Sequence, residues 1–166
     1  MAVKAPAAEE ILDRAVTLEK EAWDYFVQAS QRTANELAKR TFQALASRHD
    51  RHADQIEEAR RIVLAKQTPQ PRPTPPPRSM FDDIMRVIEQ SAAPTAADIT
   101  ELQEALAYAV KVGDVYTHLA RISASDWEHS LYGALSREEQ AVRLTLADTL
   151  DYLRSNFELS DLVKEE

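Results

Sequence analysis

Cysteine is absent from the 166 residues, so the chain can form no disulfide, no thiolate zinc site and no cysteine-ligated iron centre. Any metal must be held by histidines and carboxylates. Glycine is nearly absent too, with 2 residues in the chain. Sheet-rich domains need glycine in their turns and long helices avoid it. The scarcity, together with abundant Ala, Leu, Glu and Arg, therefore points to an all-α fold. Aromatic residues make up 7%, which leaves the core largely aliphatic. Positive net charge is lacking, because 20 Lys and Arg face 28 Asp and Glu, a balance of −8. Such a chain repels phosphate backbones, and no nucleic-acid partner is expected. No apolar run approaches a membrane span, and residues 1–10 lack the basic start and apolar core of a signal peptide. The expectation is a cytoplasmic protein without a membrane partner.

What is present suits a folded domain. Hydrophobic residues make up 44% and charged residues 29%, and the length fits one domain over residues 1–166. Residues 67–80, QTPQPRPTPPPRSM, hold six prolines and cannot be helical, since each ring removes a donor and clashes with the preceding turn. Before this segment the pattern predicts helices over about 7–32 and 35–65, with residues 31–35 as a weak break. After it come a short helix over 81–90, then long helices over about 96–122, introduced by Pro94 and Thr95, and about 125–154. The tail from Ser155 reads as a loosely docked segment. Two hairpins joined by a long proline-rich crossover suggest a four-helix bundle in which the crossover spans the bundle length. The alternative is two separate hairpins on a flexible spacer.

A shift of 90 residues superimposes the apolar stripes of the two halves. Leu12, Ala15, Ala22, Phe26 and Ala29 fall on Leu102, Ala105, Val112, Tyr116 and Leu119. Phe42, Leu45, Ile56 and Val63 fall on Tyr132, Leu135, Leu146 and Leu153. One register serves both helix pairs across an irregular linker, as a duplicated hairpin requires.

Polar residues interrupt these stripes. Glu19 stands in the seam of the first helix, and His49 and His52 stand in the seam of the second. At i and i+3 the two imidazoles project from one face and can converge on one ion. The same residues could instead form a buried hydrogen-bonded network without metal. Under the shift, Glu19 maps to Ala109, His49 to Glu139 and His52 to Val142. Glu139 is flanked by Leu135, Val142 and Leu146 at helical spacing, which makes it a fourth candidate ligand. Its neighbours Arg137, Glu138 and Gln140 equally allow a solvated edge. His118 and His129 read as surface histidines. Tyr25 and Tyr116 read as core packing, although a seam tyrosine can also hydrogen-bond a ligand carboxylate.

Four segments carry a family resemblance: LEKEAWDYF at 18–26, FQALASRHDRH at 42–52, EALAYAVKVGDVY at 104–116 and LYGALSREEQAV at 131–142. Together they resemble the rubrerythrin-like branch of the ferritin-like superfamily over most of the chain outside the linker and tail. The resemblance implies a ferritin-like four-helix bundle. It places Glu19 in a ligand position, His52 at the histidine of the Glu-x-x-His motif and Glu139 at the glutamate of its repeat. His49 replaces one motif glutamate, and Ala109 and Val142 stand where two further ligands would be. Members of that family with six ligands hold two iron ions and reduce peroxide or oxidise ferrous iron. With Ala109 and Val142 in place, the ligands unique to one of the two ions are gone.

What remains, Glu19, His49, His52 and Glu139, suits one divalent ion, iron or zinc. The readings in play are a metal-binding protein with a mononuclear site and residual iron-dependent oxidoreductase activity, or a non-catalytic helical scaffold with a vestigial site. A DNA-protecting relative is a third reading, which the acidic charge opposes. A homodimer is expected, because long bundles leave helix faces open and the linker lets helix pairs exchange.

Overall fold

The computed structural model describes residues 7–71, 73–89 and 91–164. Five helices follow one another: α1 (Ala8–Arg32), α2 (Glu36–Leu64), α3 (Phe81–Met85), α4 (Ala96–Ile122) and α5 (Asp126–Lys164), and no strand occurs among the described residues. No helix is long and apolar enough to cross a membrane.

The helix ends follow local chemistry. Asn35 caps α2 by accepting from Ala38 N at 3.0 Å. Thr95 and Asp98 form a reciprocal capping box at the start of α4. Lys66 ends α2 by turning left-handed at φ 60°, and Gln67 N then bonds back to Ile62 O at 3.1 Å.

Two of the expected boundaries need correction. The short helix expected over 81–90 stops at Met85 and unwinds through a turn at 86–87, while Gln90 lies outside the described residues. Five residues can make barely one turn, and Ile84 is the only one of them fully buried, so there is little packing to extend the helix. The last helix runs ten residues beyond 154, to Lys164, and Ser155 opens no separate tail. Residues 155–164 contain neither proline nor glycine, so nothing in the backbone stops propagation.

Side-chain pairings set the helix directions. Asp13 meets Arg60 across α1 and α2, and Ala120 O meets His129 Nδ1 across α4 and α5, so each hairpin is antiparallel. Arg32 reaches Glu101 from α1 to α4, and Thr41 meets Thr149 from α2 to α5, so these neighbours are antiparallel as well. Residues 67–71 and 73–75 lie along the C-terminal half of α2 and the N-terminal half of α5. Met80 N then donates to Thr145 Oγ1 at 2.9 Å, and Asn35 holds Ser91 and Ala92 at the opposite end. The connection thus runs the length of the α2–α5 groove.

Two apolar clusters fill the interior, and each draws on all four long helices. The first joins Phe26, Phe42 and Leu45 to Leu102, Ala105, Ala109, Val142 and Leu146, with Ile84 of α3 closing it. The second joins Leu12, Ala15 and Ile56 to Val112, Tyr116, Tyr132 and Leu135. Adding 90 to the residues of one half carries them into the other cluster: Phe26, Phe42 and Leu45 become Tyr116, Tyr132 and Leu135. The two hairpins are therefore related by an approximate two-fold exchange, and the level at which the clusters meet lies at its centre.

Candidate metal centre

That level is polar. Glu19 from α1, His49 and His52 from α2 and Glu139 from α5 all lie there, each 2% exposed or less. Each offers one donor atom, and the four donor atoms lie within 4.8 Å of one another. The structure thus resolves the two orientations open to Glu139: it faces inward, while Arg137 and Gln140 are exposed. The helical period explains the difference, since Glu139 continues the face of Leu135, Val142 and Leu146 and its neighbours sit about 100° away on either side.

Glu19 is the most tightly held. Its Oε2 lies 2.6 Å from His49 Nδ1, and its Oε1 accepts from Tyr116 Oη at 2.5 Å. His52 Nδ1 lies 3.5 Å from Glu19 Oε2 and 3.7 Å from Glu139 Oε1, and His49 Nδ1 lies 3.6 Å from the same Glu139 oxygen. These longer separations are outside hydrogen bonding. Both histidines therefore turn Nδ1 toward the two carboxylates, the orientation that two ligands of one ion would share. Both carboxylate oxygens of Glu139, both ring nitrogens of His52 and Nε2 of His49 are buried without a hydrogen-bond partner among the described residues. Buried polar groups are almost always satisfied, so five orphaned atoms in one small space call for a ligand.

Charge sharpens this. Burial pushes the Glu19 carboxyl up, but the hydrogen bond from His49 and the proximity of His52 outweigh it and hold the group down at about 2. Burial drives Glu139 the other way, to about 7, against the attraction of the two histidines and with Glu19 adding to the rise. For His52 burial opposes the charge, yet Glu138 and Glu19 prevail and raise it to about 9. Without a cation the cluster balances itself by sharing protons among coupled groups.

The surroundings divide sharply. On one side Phe26 stacks against His49, with ring centroids 5.3 Å apart and planes 10° from parallel. Ala109 and Val142, the counterparts of Glu19 and His52, are buried in the cluster that contains Phe26. That side is dry and offers no ligand. On the other side Tyr116 meets Glu19, and Glu138 approaches His52 Nε2 at 3.5 Å from a half-buried position. His118 and His129 are exposed and stand apart from the cluster.

The two seam tyrosines differ, and one further residue reaches the site. Tyr116 is both core packing and hydrogen-bond donor to Glu19, whereas Tyr25 stacks on Tyr108 at 4.1 Å. Glu138 touches the site from its outer edge, and its position next to Glu139 was the only signal available for it. Comparison of the chain with protein-family models, with curated proteins and with solved structures found no match.

Proposed function

We propose that this chain is a ferritin-like four-helix bundle of the rubrerythrin branch that binds one divalent ion, iron or zinc, through Glu19, His49, His52 and Glu139. The observation that carries the reading is the convergence of four buried donor atoms within 4.8 Å, on residues that also hold five unpartnered polar atoms. Two neutral imidazoles and two carboxylates supply a charge of −2, which offsets a divalent cation in a dry interior. Ala109 and Val142 leave the second position of a dinuclear centre without ligands, so the expected content is one ion per chain and not two.

Bound iron would supply one-electron chemistry, and bound zinc would act as a Lewis acid. The protein's part is to hold Glu19 with Tyr116, to keep the Phe26 side free of water and to leave the Glu138 side open. Residual iron-dependent oxidoreductase activity follows if the ion is iron. A second reading rests on the 2.6 Å contact between His49 and Glu19: a buried polar network without metal, in a non-catalytic scaffold with a vestigial site. The proposal also takes the protein to be a cytoplasmic homodimer, which light scattering on the purified protein tests.

Metal analysis of untagged protein, purified without added metal, separates the two readings. One ion per chain is expected in the wild type and almost none in His52→Ala. An ion bound only by the folded chain adds about 2.7 kcal/mol at a hundredfold excess over Kd, so chelation should lower the wild-type Tm. Equal melting of both proteins with and without chelator would leave the scaffold reading standing.

A further inference from the structure

A cavity of about 530 Å³ lies between the proline-rich connection, the C-terminal half of α2 and the N-terminal half of α5. Its size falls within the range of small-molecule sites. The strap over it is tied down at both ends, by Gln67 N to Ile62 O and by Met80 N to Thr145 Oγ1. Prolines 69, 71, 73 and 75 keep the span between these ties extended, so it bridges the hollow without collapsing into it.

The chemistry of the wall selects a ligand. Ile62, Trp127, Leu131 and Ala134 give it an apolar body. Proline contributes a carbonyl acceptor but no N–H, so the strap is rich in acceptors. Two carboxylates, Glu58 and Glu138, also face the cavity. Arg61 pairs with Glu58 at 2.6 Å. Arg48 and His52 approach Glu138 Oε2 at 3.6 and 3.5 Å, beyond good hydrogen-bond length, and a side chain 27% exposed keeps its carboxylate accessible from the cavity. Among the described lining residues these two carboxylates are the only ionisable groups, and such a lining repels carboxylates and phosphates and favours a donor that carries positive charge.

We infer that this cavity binds a small organic cation, a primary amine on an apolar body, with the ammonium group on Glu138 and the body against Trp127 and Leu131. The cavity residues are distinct from the four proposed ligands, so the inference does not require an ion. Through Glu138 the bound amine would lie one residue from the candidate metal centre, against the outer nitrogen of His52.

Phenylbutylamine, phenylbutanol and phenylbutyrate share one apolar body and differ only in head group. Calorimetric titration of each into the full chain, both metal-loaded and chelator-treated, tests the inference. The amine should bind at least about tenfold more tightly than the alcohol, the worth of a charge-assisted hydrogen bond, and the carboxylate should bind weakest. Glu138→Gln should abolish the amine's advantage and leave the alcohol's affinity unchanged. Ala134→Trp, which fills the cavity from a partly buried wall position, should weaken all three, with Tm reporting that the fold persists. The order amine, alcohol, carboxylate should persist in chelator-treated protein, whether or not metal analysis bears out the centre. Absence of binding, equal affinities for the three probes, or an amine advantage that survives Glu138→Gln would overturn the inference. An advantage seen only in metal-loaded protein would place the amine on the ion and overturn it as well.

Discussion

The α1–α2 hairpin and the α4–α5 hairpin bury apolar residues at matching positions and differ at the level where the two clusters meet. There the first hairpin presents Glu19, His49 and His52, and the second presents Ala109, Glu139 and Val142, all of them buried. Ala109 and Val142 show that the fold accepts small apolar residues at two of these positions. Glu19 and His52, at the equivalent places, are therefore not needed for packing; Glu19 is buried only with His49 and Tyr116 to satisfy it, and His52 is buried with both ring nitrogens unpartnered among the described residues. A buried polar set in one half with apolar residues at two of its three counterparts is the asymmetry that the proposed one-ion site requires.

The largest effect should come from making the second hairpin resemble the first. Ala109→Glu buries a carboxylate beside Phe26, and Tm and denaturant unfolding should show a loss on the order of several kcal/mol. Combined with His49→Glu and Val142→His, the same change should rebuild a six-ligand site. Stability should then recover with ferrous iron, and iron content should approach two per chain. One ion per chain in the triple variant would show that Ala109 and Val142 do not border the site as their burial implies.

The pH profile gives the next largest effect and contrasts the centre with and without its ion. In metal-free protein His52, raised to about 9, contributes stability that is complete below its unfolded value of 6.5 and is lost as pH rises through 9. Glu139, raised to about 7, adds a loss between its unfolded value of 4.5 and 7. Glu19, lowered to about 2, contributes stability above 4.5 that disappears as pH falls toward 2. Chelated protein should therefore melt at its highest temperature near pH 5 and decline toward pH 9. Ion binding requires deprotonated ligands, so the gap in Tm between loaded and chelated protein should widen over the same range. A gap that stays constant or narrows would count against ligation by these groups.

Smaller changes probe the neighbours. Tyr116→Phe removes the hydrogen bond to Glu19 Oε1 and should cost about 1–2 kcal/mol, together with weaker metal retention. His129→Ala, at an exposed residue of the second hairpin, should leave metal content unchanged. Gly113→Ala is the mildest. Its added Cβ would meet Glu139 Cβ at 3.4 Å, an ordinary contact, and the gain in helix propensity should stabilise by no more than about 1 kcal/mol.

Much of this was legible in the sequence because helices of this length repeat their apolar positions many times. The stripes from Leu12 to Ala29 and from Ala38 to Ala59 each fix a face, and a polar residue in such a face is conspicuous. Glu19, His49 and His52 were readable for that reason. Glu139 was ambiguous because polar residues flank it on both sides, and only its spacing from Leu135, Val142 and Leu146 pointed inward. Less was legible where no period operates. The α3 boundary depended on tertiary packing with one fully buried residue, Ile84, and the continuation of α5 to Lys164 depended on the absence of a stop signal, which sequence patterns register poorly. The role of Glu138 rests on the geometry of a neighbouring helix, and no local pattern encodes it.

Asp98 has a consequence for how the molecule opens. Its carboxylate accepts from Thr95 N at 2.8 Å within its own helix, and from Ala34 N at 3.2 Å in the turn between α1 and α2. Asn35 caps α2 from the same turn and reaches Ala92 O at 2.8 Å. One end of the molecule is therefore cross-linked between hairpins by buried polar groups. At the other end, the turn at 123–125 is secured by contacts within its own hairpin, Ser125 to Glu128 and His129 to Ala120. Amide hydrogens should accordingly exchange with deuterium first near 123–130 and the last turns of α2, and last around 34–42 and 95–106. Fluctuations would then begin at the end that also holds the strap-covered cavity, and reach the polar level before the pinned end gives way.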